Sequence, residues 1–511
     1  MKAKNIIFIA SCVLFLGLSI YIAFSHADSS SKSNNQNQQD NLLSFEINGE
    51  PLVIDYNTDY MWYDMTMMTT EFDTVISLPE TKDYTFEVNF ESVPEGQTTV
   101  NVKLNKLRKD DGIAIHIISK KTGDVHKYAI RSLHSNSPDF TVYNNHPDQG
   151  FYYFNSNNFI YKMNTNGEIV FYKASDKWLS DFKRTEIDGK TYYSYQEEFD
   201  TTSISSNLGY VPSRAIVMDD HYNIIDTVSY KLPSIEGESD NTVTLDSHEF
   251  LILGEKHYLI QSYVPTIVTN IPSSVLHAEN GSKVLAAEIQ EIKDGELIFS
   301  WKSSDHPELY GASSFCNDYF NRDYFYSDYV HLNSITVDPS DNNLILSMRN
   351  IDGLVKIDRN SGNILWILGG NNDMFDLTEE QKFNKQHFAR ITQNGTITIF
   401  DNGMLCEDGE VVEGMHQSYV KEFKLDEKNH KILEFHEYKI SGRYSSIMGS
   451  AQRMYSDRNV FTIGWGGRNS HTALFSEEDF DTNTTLFEVT YPQTLSESFS
   501  VNSYRAYKDI A

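Results

Sequence analysis

The chain has 511 residues, and its 72 aspartates and glutamates outnumber its 42 lysines and arginines, which gives a net charge of −30 at pH 7. This surplus of negative charge repels phosphate backbones and argues against nucleic acid as a partner. The length exceeds what one small hydrophobic core accommodates and by itself suggests about three domains.

The first residues predict an export signal. A basic start precedes an apolar run from Ile6 to Phe24, and this run is close to the roughly 20 residues that span a bilayer. Ser25-His26-Ala27 offers a small-x-small cleavage site, so residues 1–27 are either a signal peptide or an N-terminal membrane anchor. Both alternatives place the folded protein at the extracellular face of the cell membrane or in the periplasm. Residues 28–43 are polar and predict a flexible linker.

Residues 44–133 predict a small β-sandwich. Within them, apolar and polar residues alternate along Thr98–Asn105 and again along Gly112–Ser119. Strict alternation of this kind is typical of antiparallel sheets that bury one face. We therefore expect two packed sheets ahead of the remaining chain.

Residues 134–511 repeat one unit, which is an apolar strand, a turn built on Asp, Asn or Gly, and a second strand. The copies lie roughly 50 to 70 residues apart, more than the ~40 to 50 of compact blades, so loops must project from the repeats. Four short strands cannot bury both faces alone, whereas six such blades around an axis bury one another. The sequence therefore predicts an all-β fold with a six-bladed β-propeller. The six copies are 161–172, 217–230, 289–301, 355–366, 421–435 and 474–489.

Three histidines stand at the same place in three successive repeats. His248, His331 and His387 each open an apolar strand that a polar turn and a second strand follow, and Gln386 precedes the last of them. In a ring, equivalent positions converge on one axis, so the three imidazoles are expected to face one another. Any one of these residues alone would more often be an ordinary hydrogen-bonded histidine.

Arg349 closes the hairpin that His331 opens, so we expect both at the same rim of the sheet. A guanidinium beside imidazoles favours an anionic group, because its fork holds two sulfate or phosphate oxygens at once, and it disfavours a metal. Tyr326 and Tyr329, just before this hairpin, are candidates for stacking against an aromatic substrate.

Together, His248, His331 with Arg349, and Gln386-His387 in their surrounding strands resemble the bacterial arylsulfate sulfotransferases that do not use the nucleotide sulfate donor. The resemblance is strongest over 329–403. It implies a ping-pong transfer from an aryl sulfate to a phenol, in which His387 is sulfated and the other three residues hold the sulfuryl oxygens. It implies no cofactor and no metal, and it allows a homodimer.

Two other functions fit the same residues. Three histidines can bind zinc and activate a water, which would make the protein a metal-dependent hydrolase. A non-catalytic propeller that binds a ligand at the cell surface is the second alternative. Asp246-Ser247-His248 contains the letters of a hydrolytic triad, but triad members meet in space and rarely as sequence neighbours.

Two cysteines follow the export segment. Cys316 and Cys406 lie far apart in the sequence, so their pairing in an oxidising compartment stays open. They lack the close spacing of a cysteine pair that the resembling family carries near its site, which leaves the family's redox dependence open here.

Overall fold

The computed structural model describes residues 42–47, 50–55, 62–64, 73–103, 112–131, 137–199, 209–220, 222–231, 244–275, 281–313, 319, 326–404, 406–407, 410–411, 416–469, 473–491 and 503–510. Within these ranges the structure is almost entirely β-sheet. The exceptions are three short 3-10 helices, Ser303–Asp305, Pro307–Ala312 and Arg349–Ile351. None of the described helices has the length and apolar character needed to cross a bilayer. The apolar run predicted as a signal or anchor lies outside the described residues.

Nine strands form two sheets at the start of the described chain. The strands are β1 (Leu42–Ile47), β2 (Glu50–Asp55), β3 (Trp62–Asp64), β4 (Asp73–Ser77), β5 (Tyr84–Val88), β6 (Glu91–Ser92), β7 (Thr99–Lys103), β8 (Gly112–Ser119) and β9 (Val125–Arg131). One sheet has the order β2-β1-β4-β7 and the other β3-β9-β8-β5-β6. Phe45 and Ile76 of the first sheet share a buried cluster with Ile115 and Ile130 of the second.

The propeller consists of six sheets of four or five strands in the described residues, and we call them blades 1 to 6. The first strands after the N-terminal sheets are β10 (Thr141–Asn144), β11 (Gly150–Ser156), β12 (Phe159–Asn164), β13 (Ile169–Ala174), β14 (Leu179–Ile187), β15 (Lys190–Glu198), β16 (Pro212–Met218), β17 (Ile224–Val228) and β18 (Leu245–Asp246). Blade 1 has the order β13-β12-β11-β39, and blade 2 has the order β14-β15-β16-β17, with β18 beside β16.

Blades 3 and 4 are regular antiparallel sheets of four consecutive strands. Blade 3 contains β19 (Phe250–Gly254), β20 (His257–Val268), β21 (Ser282–Lys293) and β22 (Glu296–Lys302), and blade 4 contains β23 (Leu332–Val337), β24 (Leu344–Met348), β25 (Gly353–Ile357) and β26 (Ile364–Gly369). Strands β24 and β25 are buried along their whole length. Their nearly continuous apolar sequences follow from this, because blades on both sides cover them.

Blades 5 and 6 complete the ring. Their region contains β27 (His387–Ile391), β28 (Ile397–Asp401), β29 (Cys406–Glu407), β30 (Glu410–Val411), β31 (Tyr419–Asp426), β32 (Lys431–Tyr438), β33 (Ser445–Ile447), β34 (Ser450–Arg453), β35 (Val460–Gly464), β36 (Gly467–Asn469), β37 (Ala473–Asp479), β38 (Thr484–Thr490) and β39 (Ala506–Ile510). Blade 5 has the order β27-β28-β31-β32, and blade 6 has the order β10-β38-β37-β35-β34. Every one of the six predicted repeats corresponds to the third and fourth strands of one blade.

Strands from opposite ends of the propeller close the ring. The C-terminal strand β39 pairs with β11 in blade 1, where Ile510 lies opposite Gly150. Strand β10 pairs with β38 in blade 6, where Thr141 lies opposite Thr490. The inner strands of neighbouring blades contact one another, and β39 lies between β34 and β14. The C-terminal strand is therefore the inner strand of blade 1.

Candidate active site

Three histidines lie at the start of the inner strands of three consecutive blades. His248 precedes β19 by two residues, His331 directly precedes β23, and His387 is the first residue of β27. The ring centroids of His248 and His331 are 5.1 Å apart, with 86° between the ring planes. Both rings are close enough to His387 for their charge to lower its pKa. The structure thus brings together the three side chains that the repeat predicted to converge.

Arg349 lies beside the histidines, as the hairpin geometry predicted. It directly follows β24, and its backbone N–H donates to the carbonyl of His331 at 2.9 Å. Its guanidinium lowers the pKa of both His331 and His387, so its charge acts on two of the three rings. Arg349 Nη1 also donates to Asn350 Oδ1 at 3.0 Å.

Each histidine has a hydrogen-bond partner at Nδ1, and the partners differ in charge. His248 Nδ1 lies 2.5 Å from a carboxylate oxygen of Asp246, and His331 Nδ1 lies 2.6 Å from one of Asp328. His387 Nδ1 instead lies 2.7 Å from the amide oxygen of Asn402. The Nε2 atom is therefore the ring nitrogen left for chemistry.

The site disfavours protonated rings. Burial lowers the pKa of His387 well below its ordinary value, the Arg349 charge lowers it further, and the hydrogen bond with Asn402 opposes both. Burial also lowers the pKa of His331, against the opposing effect of the Asp328 carboxylate. Both shifts favour the neutral ring at pH 7, which is the form that has an unprotonated nitrogen.

The backbone around His331 is constrained. His331 has φ 50°, in the left-handed region, which costs a non-glycine residue about 1 to 2 kcal/mol. Gly209, with φ 75°, packs against the same ring, and a Cβ there would lie 3.2 Å from His331 Cε1. Local strain of this kind persists where surrounding contacts enforce it, and the bonds to Asp328 and Arg349 do so here.

Two buried tyrosines surround His248. Its ring centroid lies 6.1 Å from that of Tyr263 and 5.7 Å from that of Tyr504. The Tyr263 hydroxyl donates to the carbonyl of Leu332 at 2.6 Å, and the Tyr504 hydroxyl donates to that of His248 at 3.0 Å. Burial raises the pKa of both tyrosines, so both are neutral hydrogen-bond donors that fix the loops carrying the histidines.

A buried charge cluster lies next to the site and joins five blades. Arg505 Nη1 lies 3.0 Å from Asp181 and 3.1 Å from Glu249, and its Nη2 donates to a carbonyl of β23. Glu249 also pairs with Lys183 at 3.0 Å and with Arg390 at 2.6 Å. Although burial raises the pKa of Glu249, the three cations lower it overall, so this carboxylate stays ionised. The cluster fixes Glu249 and hence its neighbour His248.

Tyr329 lies elsewhere than the sequence suggested. Its side chain is fully buried, its hydroxyl donates to Ser303 Oγ at 2.8 Å, and its ring packs 4.8 Å from that of Tyr310. A ring with no exposed surface has no face left for a substrate, so the structure places Tyr329 in the core between blades 3 and 4. Tyr326 is only partly buried and packs against the same core.

Among the described residues, the carboxylates that come close enough together to hold a metal lie at the other end of β23 from His331. Asp338, Asp341 and Glu427 form a group whose oxygens lie within 4.8 Å of one another. Lys356 Nζ already binds all three carboxylates, at 2.7, 2.8 and 2.7 Å. The ammonium group therefore supplies the positive charge that this cluster needs.

Sequence reasoning missed the residues that orient the rings. The sequence pattern around Asp246 indicated only the letters of a hydrolytic triad, yet its carboxylate binds His248 Nδ1, while Ser247 bonds to Glu198. Asp328 and Asn402 had no repeat signal, because they lie at unequal distances from their histidines. Cys316 and the side chain of Cys406 lie outside the described part, so the question of their pairing stays open.

Comparison with known proteins connects this geometry to one group of enzymes. A family model described as arylsulfotransferase (ASST) matches residues 138–505. The "Arylsulfate sulfotransferase AssT" of Escherichia coli O6:H1 is 29% identical over 216 residues, which cover 34% of this chain and 34% of that protein. The protein of the same name from Lelliottia amnigena is 30% identical over 219 residues, with 34% of each chain covered. The match thus spans about a third of the length of these curated relatives.

Among solved structures, a protein of unknown function from Bacteroides caccae is similar. It has 11% sequence identity and a TM-score of 0.40, and the match covers 71% of this chain and 99% of that one.

Proposed function

The chain belongs to the arylsulfotransferase family, and from this premise we propose that it transfers a sulfuryl group from an aryl sulfate to a phenol through a sulfohistidine at His387. The observation that carries the proposal is the convergence of His248, His331 and His387 beside Arg349. Neutral imidazole is a competent nucleophile, and the guanidinium fork suits an anionic sulfuryl group.

His387 is the proposed nucleophile because, of the three rings, it is the one with an uncharged amide and not a carboxylate at Nδ1. Burial and the Arg349 charge both lower its pKa, so Nε2 retains its electron pair at pH 7. In the first half-reaction, Nε2 attacks sulfur, the N–S bond forms, and the bond from sulfur to the aryl oxygen breaks. That oxygen leaves with the electron pair and takes up a proton.

His248, His331 and Arg349 are proposed to stabilise the charge of the transition state. By analogy with phosphoryl transfer, the sulfuryl group passes through a loose transition state with charge on its oxygens and on the leaving group. Donors fixed toward those oxygens act on the rate, because they need no reorganisation during the reaction. The hydrogen bonds at Nδ1 and the backbone bond to Arg349 supply this fixation.

In the second half-reaction a phenol discharges the intermediate. The phenol oxygen attacks sulfur, the O–S bond forms, the N–S bond breaks, and the electron pair returns to Nε2. The phenol loses its proton to a base. The reaction returns the enzyme to its starting state and balances without a cofactor. Export to the cell surface or the periplasm is also a proposal. Residues 1–27, from which it is predicted, lie outside the described residues.

A chromogenic aryl sulfate tests the proposed function. We expect chromophore release to depend strongly on added phenol and the His387→Ala variant to lose it, while His436→Ala, on the outer strand β32, retains it. Release that is equally fast in water alone would identify a sulfatase, and release that survives His387→Ala would exclude this nucleophile.

Two further outcomes of the same assay would favour the other functions. Stoichiometric zinc together with activity lost to a chelator would favour the metal-dependent hydrolase. Binding of the aryl sulfate without turnover, with or without phenol, would favour the binding propeller.

A further inference from the structure

The three histidines differ in the charge of the group that contacts Nδ1, which is a carboxylate at His248 and His331 and an amide at His387. We infer that this difference determines which ring is the nucleophile and which ring can donate a proton. The amide of Asn402 holds His387 as the neutral nucleophile with its proton on Nδ1. The carboxylate of Asp328 lets the His331 ring carry a second proton on Nε2 for the substrate. This inference rests on the proposed sulfuryl transfer and names the positioning residues behind it.

The position of the His387 proton follows from the hydrogen bonds of Asn402. Asn402 is fully buried, and its Nδ2 donates to the carbonyls of Ser445 at 2.8 Å and Met448 at 3.0 Å. This fixes the amide orientation and turns Oδ1 toward His387 Nδ1. The carbonyl of Lys385 is a second acceptor, 3.1 Å from the same nitrogen. Because both neighbours only accept, Nδ1 carries the single proton and Nε2 the electron pair.

An amide at Nδ1 also favours discharge of the sulfohistidine intermediate. After Nε2 attacks sulfur, the ring is an N-sulfo-imidazolium that still carries its Nδ1 proton. Asn402 cannot take up this proton, so the ring leaves as neutral imidazole when the phenol attacks. A carboxylate would accept the proton and leave a neutral N-sulfo-imidazole, whose discharge would have to expel an imidazolate. The amide therefore keeps the sulfuryl group transferable.

Asp328 creates the opposite environment for His331. One of its oxygens accepts from His331 Nδ1 at 2.6 Å, while Oδ1 is buried without a hydrogen-bond partner among the described residues. A buried carboxylate with so few partners favours a positive charge beside it. A sulfate ester adds a further negative charge at Nε2. Substrate binding thus favours a second proton on His331, which can be donated to a sulfuryl oxygen or to the departing phenolate.

Asp246 lies against His248 Nδ1 as Asp328 lies against His331 Nδ1, but it is held more firmly. Besides Nδ1, it accepts from the backbone N–H groups of His248 and Val211 and from the Gln261 amide. An amide at position 246 would face several donors and disturb the fold. Asp328 is the better position for a test, because an amide nitrogen there can take the place of the unpartnered Oδ1.

The first test gives His331 the amide partner that His387 has. In Asp328→Asn we expect kcat/KM for phenyl sulfate, which has a poor leaving group, to fall about 10²-fold or more, the typical contribution of a general acid. The loss with 4-nitrophenyl sulfate, whose leaving group needs no proton, should be clearly smaller. Asp294→Asn is the matched control, because this exposed residue has φ 49°, which asparagine adopts as readily. An equal loss with both donors would reduce Asp328 to a structural role and overturn this part of the inference.

The second test examines the His387 proton directly in the wild-type protein. Nitrogen-15 NMR of protein labelled at histidine, compared with a His387→Gln variant, identifies the His387 signals. We expect a protonated Nδ1 and an unprotonated Nε2 at pH 7, and the reverse tautomer or a protonated ring would overturn the role of Asn402. Absence of phenol-dependent transfer in the wild type would refute the proposed function instead, so the two failures are distinguishable.

Discussion

At the scale of single residues, the site depends on a guanidinium that acts in two ways. Arg349 is expected to hold sulfuryl oxygens, and it lowers the pKa of His387. These two effects can be separated, because lysine keeps the charge and loses the fork.

We expect Arg349→Lys to lose about 10²-fold in kcat/KM, as for the loss of one transition-state donor. The acid limb of its pH profile should stay in place. Arg349→Met should lose at least as much and move the acid limb to higher pH, because the pKa of His387 rises without the charge. Identical pH profiles of the two variants would show that this charge does not reach His387. Rates measured from pH 4.5 to 8.5 would decide between these outcomes, a range of about two units below and above the free histidine pKa of about 6.5.

The wild-type pH profile follows from the direction of the His387 shift. Only the neutral ring attacks, and its pKa lies well below the ordinary value of about 6.5. As pH falls, the neutral fraction declines only when pH approaches this lowered pKa. The acid limb of kcat/KM, which reports the free enzyme, should therefore have its midpoint below about 6.5. A midpoint at or above neutrality would contradict the neutral nucleophile.

The sequence predicted the three histidines because each opens the same repeated hairpin, and it predicted Arg349 because this residue closes the hairpin that His331 opens. The orienting residues follow no such rule. Asp328 lies three positions from its histidine, whereas Asn402 lies fifteen positions from His387, at the end of β28. Asp328 reaches His331 from the segment just before β23, and Asn402 reaches His387 because β27 pairs with β28, where His387 lies opposite Phe400. A single sequence does not reveal which of the nearby polar side chains faces each ring.

At the scale of secondary-structure elements, the sequence predicted the hairpins but not the strand pairs that close the ring. Each predicted repeat is a local pair of strands, whose alternation and turn residues are visible in sequence. Pairing of β39 with β11 joins residues from opposite ends of the propeller. Strand β39 also follows directly on Tyr504 and Arg505, which contact the loops of the site. The same segment thus closes the ring and contacts the site.

The charge cluster at this closure gives a stability prediction. Arg505→Met removes the cation between Asp181 and Glu249 and leaves buried carboxylate charge undercompensated. Breaking a buried pair typically costs about 3 to 5 kcal/mol, so we expect a clearly lower denaturant midpoint. Arg458→Met is the matched control, because its pair with Asp148 is half exposed and should cost less than about 1 kcal/mol. Equal midpoints for the two variants would show that the cluster does not hold the ring.

At the scale of the whole molecule, the net charge of −30 opposes an anionic donor. Salt screens this long-range repulsion but not the short contacts with Arg349, since the Debye length is about 10 Å at 0.1 M. Raising salt from low to physiological concentration should therefore increase kcat/KM for an aryl sulfate by roughly 2- to 10-fold. The neutral phenol serves as internal control, and its rate constant for discharging the intermediate should not change. If kcat/KM for the aryl sulfate falls as salt rises, then local positive charge at the site, and not the net negative charge, dominates binding of the donor.

The central claim is that His387 carries the sulfuryl group between donor and acceptor. The most direct measurement mixes the protein with an aryl sulfate in the absence of phenol, digests it at neutral pH and locates the added sulfuryl group by mass spectrometry. We expect one sulfuryl group on His387 that disappears when phenol is added. Phenol-dependent turnover with the group on another residue, or an unchanged label in His387→Ala, would contradict the account.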